Sequence, residues 1–210
     1  MDVQEHVVAA LQKAEKKDSP FPHFFAESVF PVAFYEEIQQ FLAKKTDYHS
    51  ESFANRTFAD KTDIPGAKFM LSKEFFKEML YLFPEEVKQE FGGKSAQFSR
   101  ELRLIRDHKY YKIGPHTDAA WKVLSLLFYL PSDYSSREHG TSIFVPKDST
   151  FRCAGGPHYP FDKFNEVWRA PFIPNSCLGF WKNSQSFHGV VPIPVEIQRD
   201  VLLYNIYRRN

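Results

Sequence analysis

The sequence contains little cysteine. Only Cys153 and Cys177 occur among its 210 residues, which are too few and too far apart for a disulfide framework or a thiolate zinc site. The sequence also lacks an apolar run of membrane-spanning length, and its N-terminus lacks the basic region and apolar core of a signal peptide. We therefore expect a cytoplasmic protein in a reducing compartment, with no membrane as a partner.

An excess of charge of either sign is absent as well. The 27 Lys and Arg residues nearly balance the 26 Asp and Glu residues, for a formal net charge of +1. A molecule without a strong overall field has little means of attracting nucleic acid or an acidic membrane surface. We expect no nucleic-acid partner, and a ligand that is recognised in a pocket.

Aromatic residues, by contrast, are abundant: they make up 17 % of the sequence and include 22 Phe. A linker or disordered tail does not carry so many, and this composition favours a sheet-rich core. A chain of 210 residues is long enough to bury one such core. We expect a single domain over 1–210.

The first 95 residues have mainly helical periodicity. Apolar residues recur at helical spacing over 3–17, over 31–45 and over 73–91. In the last of these segments Pro84 is expected to kink or split the helix. Residues 46–66 are polar and lack a clear period, which is typical of a mobile loop.

After about residue 100 the sequence changes to short apolar segments punctuated by Pro, Gly and Asp, which are typical of β-strands. They lie at 102–106, 123–130, 142–145, 177–181 and 201–207. Several short strands with turns between them favour a sandwich or barrel over a parallel α/β sheet. The insert 147–174 is long for a plain turn and is either a substrate loop or lid, or a surface excursion.

Two potential metal ligands, His116 and Asp118, are separated by one residue. If this segment is extended, alternate side chains point to the same face, so the imidazole and the carboxylate converge. Alone the pattern is weak, because a surface turn in which Asp118 binds a backbone amide accounts for it equally well.

A second imidazole, His188, strengthens the metal interpretation. It lies 72 residues after His116, where another strand-like segment begins. Two histidines and one carboxylate form the facial triad of non-haem iron oxygenases, and three ligands on one face leave room for a bidentate co-substrate and dioxygen. Zinc accepts the same ligands, so a zinc hydrolase is an alternative.

Arg199 follows His188 by 11 residues and begins the last strand-like segment. A guanidinium inside a β core is costly unless it meets a carboxylate, and that carboxylate can belong to a ligand. Asn205 and Tyr207 alternate with Arg199, so they are candidates for the same face of that strand.

The two histidines, Asp118 and Arg199, in this order and at these intervals, resemble the 2-oxoglutarate-dependent iron oxygenase family, and most closely its prolyl-4-hydroxylase-like branch. Segment 122–131 is similar to the family strand that follows the metal pair, and 140–144 is similar to the start of its glycine-threonine strand. Together these similarities cover about 102–207.

The resemblance implies an α+β, mainly β fold. This fold is a double-stranded β-helix, a cupin-like jelly roll, with the N-terminal helices packed on one sheet. Mainly helical support is then expected over about 1–95, and the jelly-roll core over about 96–210.

The resemblance also implies the roles of individual residues. His116, Asp118 and His188 would be the catalytic residues that hold Fe(II), and Arg199 would bind the distal carboxylate of 2-oxoglutarate. Other contacts of that carboxylate are left open. Tyr110 and Tyr111 lie closer to His116 than the tyrosine of the branch does, and Val201 stands where some members have serine.

The implied activity is that of a dioxygenase that hydroxylates an unactivated C–H bond and releases succinate and CO2. Its cofactors would be Fe(II), 2-oxoglutarate and O2, with ascorbate as a candidate reductant. Because related halogenases have a small residue in place of this carboxylate, Asp118 favours hydroxylation, or desaturation, over halogenation. The expected substrate is a small molecule or an amino-acid-like unit. A peptidyl, prolyl-type hydroxylase is one alternative and a non-catalytic, metal-binding jelly roll is another; the oligomeric state is not predicted.

Overall fold

The computed structural model describes residues 2–51, 53–59, 63–92 and 97–209. Two antiparallel β-sheets enclose an apolar core, and helices from the first half of the chain cover the outer face of the larger sheet. None of the described helices is both long enough and apolar enough to cross a membrane.

The helices lie before residue 92. Their bounds are Val3–Lys13 (α1), Val32–Lys44 (α2), Ala67–Met70 (α3), Lys73–Leu80 (α4) and Pro84–Phe91 (α5). Pro84 splits the predicted 73–91 helix, because proline fits the first turn of a helix but not its interior. Two 3-10 turns, Arg137–His139 and Phe161–Lys163, lie in the later half.

Twelve strands are described, and all of their pairings are antiparallel. In chain order they are Lys16–Lys17 (β1), His23–Glu27 (β2), Tyr48–Ser50 (β3), Arg56–Ala59 (β4), Gln97–Asp107 (β5), Ile113–His116 (β6), Lys122–Tyr129 (β7), Ser142–Pro146 (β8), Phe164–Arg169 (β9), Ser176–Trp181 (β10), His188–Val190 (β11) and Arg199–Arg209 (β12). The large sheet has the order β1-β2-β10-β7-β12-β5-β4-β3, and the small sheet has the order β6-β11-β8-β9.

Alternation along the strands of the large sheet separates a helix side from a cavity side. On β12, Leu202 and Tyr204 pack with the helices, whereas Val201 packs in the core between the sheets. Arg199, Asn205 and Tyr207 share the inward face with Val201, as their spacing predicted. The sheet thus presents a polar set of side chains to its interior.

Two segments that were predicted to be irregular contain strands. Within 46–66, β3 and β4 extend the large sheet beyond β5, although residues 52 and 60–62 of that segment lie outside the described part. Within 147–174, β9 pairs with β8. These strands are short and partly polar, so pairing with a neighbour, rather than an apolar period of their own, defines them.

The first helix is also shorter than predicted. The apolar period runs over 3–17, but α1 ends at Lys13. Lys16 and Lys17 instead form β1 and pair with β2 at the edge of the large sheet. Hydrogen bonds to the sheet therefore replace the last helical turn.

Candidate metal centre and its cavity

The three predicted metal ligands lie together, and we call them the metal cluster: His116, Asp118 and His188. His116 ends β6 and His188 begins β11, and the two are direct cross-strand partners. One potential ligand atom from each of the three residues lies within 4.8 Å of the others. Three facial donors at about 2.1 Å from one ion lie about 3 Å apart, so these side chains would move towards each other, by up to about 2 Å, to hold a metal.

Each imidazole is oriented by a backbone carbonyl. The Nδ1 atom of His116 lies 2.9 Å from the oxygen of Gly114, and Nδ1 of His188 lies 2.9 Å from the oxygen of Ser186. With the proton on Nδ1, each ring donates to this carbonyl, and its Nε2 lone pair is free for a metal. Burial lowers the pKa of His188. Burial also lowers the pKa of His116, and together with the neighbouring His188 ring it brings that pKa to about 3.

The carboxylate of Asp118 is held by two residues of β7. Lys122 Nζ donates to Oδ1 at 3.0 Å, and Ser125 Oγ donates to Oδ2 at 2.8 Å. Burial by itself would raise the pKa of Asp118, but the charge and the hydrogen bond of the Lys122 ammonium hold it well below its ordinary value. Asp118 is therefore ionised, and the cluster presents two neutral nitrogen donors and one anionic oxygen donor.

Arg199 begins β12 and is only 1 % exposed. Its Nε donates to the carbonyl oxygen of His139 at 2.7 Å, Nη1 to Asp107 Oδ2 at 2.6 Å and Nη2 to Thr141 Oγ1 at 3.1 Å. A guanidinium has five N–H donors, so two of them have no partner among the described residues. The sequence predicted a carboxylate beside Arg199, and in the absence of a ligand Asp107 supplies it.

A second arginine shares this carboxylate. Arg56 on β4 donates from Nε to Asp107 Oδ1 at 2.5 Å and from Nη2 to Oδ2 at 3.0 Å. Two guanidiniums and one carboxylate leave a formal charge of +1, and the Arg56 and Arg199 side chains are 11 % and 1 % exposed. Because an uncompensated buried charge is costly, this arrangement favours binding of an anion.

Tyr111 lies against the same pair. Its ring centroid is 4.2 Å from the Arg56 guanidinium carbon, and its buried hydroxyl has no hydrogen-bond partner among the described residues. Burial raises the pKa of Tyr111, so the hydroxyl keeps its proton and can donate. We call Arg56, Asp107, Tyr111 and Arg199 the arginine cluster.

The metal cluster and the arginine cluster face one cavity of about 300 Å³. All three metal-cluster residues line it, as do Arg56, Tyr111 and Arg199. Facial donors for a metal therefore lie in the same cavity as unused N–H and O–H donors for an anion. This donor set fits a metal-bound co-substrate with a distal carboxylate, such as 2-oxoglutarate.

Several contributors to this site were not predicted from the sequence. Ser125 lies inside an apolar segment, and Arg56 lies in a segment that was predicted to be a loop. Asp107 could have been found from the alternation of β5, because it lies two residues after inward-facing Ile105. Lys122, which begins β7, lines the cavity and binds Asp118.

Among known proteins, similarity is found in structure rather than in sequence. No protein-family model and no curated protein matches the chain. A Pseudomonas putida prolyl-4-hydroxylase aligns over 99 % of this chain and 100 % of its own, with a TM-score of 0.55 and 13 % identity.

Two further solved structures are similar to this chain in fold. HygX from Streptomyces hygroscopicus, solved with nickel and 2-oxoglutarate bound, aligns over 88 % of this chain and 82 % of its own, with a TM-score of 0.52 and 13 % identity. An oxidoreductase of the 2OG-Fe(II) oxygenase family from Burkholderia pseudomallei aligns over 100 % and 92 %, with a TM-score of 0.52 and 14 % identity. The mainly β, antiparallel fold of this chain is thus the double-stranded β-helix that the family resemblance implied.

Proposed function

We propose that this protein is an Fe(II)- and 2-oxoglutarate-dependent dioxygenase that hydroxylates a C–H bond of a small-molecule or amino-acid-like substrate. The observation that carries the proposal is the convergence of the metal cluster and the arginine cluster on one cavity. The solved structures with this fold include one with nickel and 2-oxoglutarate bound and one prolyl-4-hydroxylase.

In this proposal the metal cluster holds Fe(II), and Arg199 and Tyr111 bind the distal carboxylate of 2-oxoglutarate. When bound, the iron and 2-oxoglutarate supply the oxidation, with dioxygen as oxidant and succinate, CO2 and the hydroxylated substrate as products. The cofactors perform this chemistry, and the chain positions them and excludes water.

The chain's own residues have separate positioning roles. Gly114 and Ser186 fix the imidazole tautomers, and Lys122 and Ser125 fix the Asp118 carboxylate. Outer contacts of this kind orient metal ligands and tune their basicity. Asp107 holds Arg199 in place before the co-substrate arrives, so little ordering is needed when the carboxylate binds.

The test is an anaerobic titration of the purified apo-protein with iron(II) and then 2-oxoglutarate. Bidentate chelation is expected to produce a weak visible metal-to-ligand charge-transfer band, which His116→Ala should abolish. Arg199→Ala should weaken 2-oxoglutarate binding. If the band never forms in the wild-type protein, the proposal is wrong and the jelly roll binds another ligand.

Tyr111→Phe is a sharper variant, because it removes only a hydroxyl that has no partner in the protein. We expect 2-oxoglutarate binding to weaken by about tenfold or more, since a hydrogen bond to a charged group contributes about 1.5–3 kcal/mol. The free energy of unfolding of the cofactor-free protein should not decrease. Tyr204→Phe is the matched control: its hydroxyl is also buried and unpaired among the described residues, but it packs with the helices.

Peptidyl hydroxylation is a second candidate, and the full-length alignment with the prolyl-4-hydroxylase favours it. The cavity of about 300 Å³ lies at the lower end of the roughly 300–1,000 Å³ found for small-ligand pockets. With 2-oxoglutarate inside, only part of a substrate can enter. Mass spectrometry of a treated peptide library and of a small-molecule panel distinguishes the two substrate classes by which of them gains 16 Da.

A further inference from the structure

A second group of polar side chains lies in the same cavity, and the proposed function has assigned no role to it. We call Glu101, Asn205 and Tyr207 the acceptor group, and all three line the cavity. Tyr207 Oη donates to Glu101 Oε2 at 2.7 Å, and Asn205 Nδ2 donates to the same oxygen at 3.3 Å. The donors of Tyr207 and Asn205 are thus directed towards Glu101.

The acceptor group has free hydrogen-bond acceptors. Asn205 is 3 % exposed, and its Oδ1 has no partner among the described residues. Glu101 Oε1 likewise accepts no hydrogen bond within the described part of the chain. An unpaired buried polar atom such as Asn205 Oδ1 costs about 1–3 kcal/mol, whereas Glu101 is half-buried. A ligand that donates an N–H group to Asn205 Oδ1 therefore gains affinity.

Glu101 forms no ion pair with a basic residue of the described chain, although the Lys122 ammonium lies 5.8 Å from the centroid of the Tyr207 ring. Arg103, two residues from Glu101 on β5, and Lys122 on β7 also line the cavity, but each of them pairs with another carboxylate. Lys122 binds Asp118 at 3.0 Å, and Arg103 binds Glu51. A negative charge beside a free amide oxygen favours a cationic donor over a neutral one.

The sheet register places the acceptor group close to the metal cluster. Asn205 on β12 is the direct partner of Ser125 on β7, whose hydroxyl binds Asp118, and it is also the direct partner of Glu101 on β5. Neighbouring strands are about 4.8 Å apart. Ser125, Asn205 and Glu101 therefore form one row across three strands. Asn205 lies one strand spacing, and Glu101 two spacings or roughly 10 Å, from the strand that supports Asp118.

We propose that the substrate carries a protonated amine or guanidinium that donates hydrogen bonds to Asn205 Oδ1 and Glu101 Oε1. This inference rests on the proposed function and specifies its substrate class: a cationic compound whose reactive C–H bond lies roughly 5–10 Å, or one to two strand spacings, from its positive charge. Glu101 and Asn205 are then specificity-determining residues.

The test uses the protein loaded with zinc and 2-oxoglutarate, which cannot turn over. Binding of 1,4-diaminobutane, agmatine and L-lysinamide is measured by saturation-transfer NMR and calorimetry, with 1,4-butanediol as the uncharged comparator. We expect at least one amine to bind tenfold or more tightly than the diol. Glu101→Gln should weaken its binding about tenfold, and Asn205→Leu should weaken it as well.

Glu74→Gln is the matched control for removal of a carboxylate, because Glu74 is exposed on α4 and does not line the cavity; it should leave amine binding unchanged. The inference is overturned if no amine binds better than the diol, or if Glu101→Gln binds the amines as well as the wild type. The iron(II)–2-oxoglutarate charge-transfer band distinguishes failure of this inference from failure of the proposed function. If the band forms but amines are not preferred, only the inference is overturned. If the band does not form, the proposed function is overturned.

Discussion

At the scale of single residues, Asp107 is the group on which two buried guanidiniums depend. It is fully buried and bonds to both Arg56 and Arg199. Asp107→Asn leaves these cations without a counter-charge, and loss of one partner of a buried ion pair costs about 3–5 kcal/mol. We therefore expect urea to unfold the variant at a clearly lower concentration than the wild type.

The same substitution should also increase the stabilisation that 2-oxoglutarate gives to the zinc-loaded protein, because the co-substrate then supplies the missing negative charge. Asp200→Asn is the control, since Asp200 binds Arg106 with both carboxylate oxygens but does not line the cavity. It should lower stability without changing the effect of 2-oxoglutarate. Equal unfolding midpoints for Asp107→Asn and the wild type would contradict this account of the arginine cluster.

Single residues also show how far the sequence predicts the site. The metal cluster was predictable because His188 adds a second imidazole to the weak His116–Asp118 pair, and because these residues with Arg199 have the order and intervals of the family resemblance. The pairing of Arg199 was not. Alternation places Asp107 on the inward face of β5, but only the folded sheets bring Asp107, Thr141 and the carbonyl of His139 to the same guanidinium. Long-range ion pairing leaves no periodicity in the sequence.

At the scale of elements, the three-residue strand β11 is the most sensitive part of the site. Gly189 lies between β6 and β8, and a Cβ at this position would be 2.5 Å from the carbonyl oxygen of Ile113. Gly189→Ala must push β11 away from β6, the strand that ends in His116. We expect affinity for manganese(II), measured by calorimetry, to fall at least tenfold.

Gly179→Ala on β10 is the matched substitution. Its Cβ would meet the Phe24 ring at 2.3 Å on the helix side of the large sheet, away from the metal cluster. Overpacking of this kind typically costs about 1–3 kcal/mol, so stability should fall while manganese affinity stays the same. Equal losses of metal affinity in the two variants would show that overall loosening, rather than displacement of β11, weakens the site.

Strand length explains which elements the sequence predicts. The long apolar strands β5, β7, β10 and β12 were recognisable from their composition, whereas β3, β4 and β11 have only three or four residues each. A segment this short has no measurable period, and its neighbours in the sheet determine its conformation. The topology came from the family resemblance rather than from any periodicity.

At the scale of the whole molecule, the metal cluster connects the two sheets. His116 and His188 belong to the small sheet, whereas Asp118 is bonded to Lys122 and Ser125 of the large sheet. An ion held by all three residues therefore links the sheets across the cavity, and it should bind the folded protein far better than the unfolded chain. Metal binding is then part of the folding free energy.

This linkage predicts a measurable thermal shift. A ligand present at 100 times its Kd stabilises the folded state by about 2.7 kcal/mol, and for a chain of this size each kcal/mol raises Tm by about 2–4 °C. We expect saturating manganese(II) to raise Tm by roughly 5–11 °C in calorimetry, and a chelator to reverse the rise.

His188→Ala should remove the shift, because the two ligands that remain, His116 and Asp118, do not form a facial set of three. Ser125→Ala leaves all three ligands in place and frees only one oxygen of Asp118, so it should keep most of the shift. A full shift in His188→Ala would mean that the ion stabilises the fold from another position, and that the metal cluster does not connect the sheets.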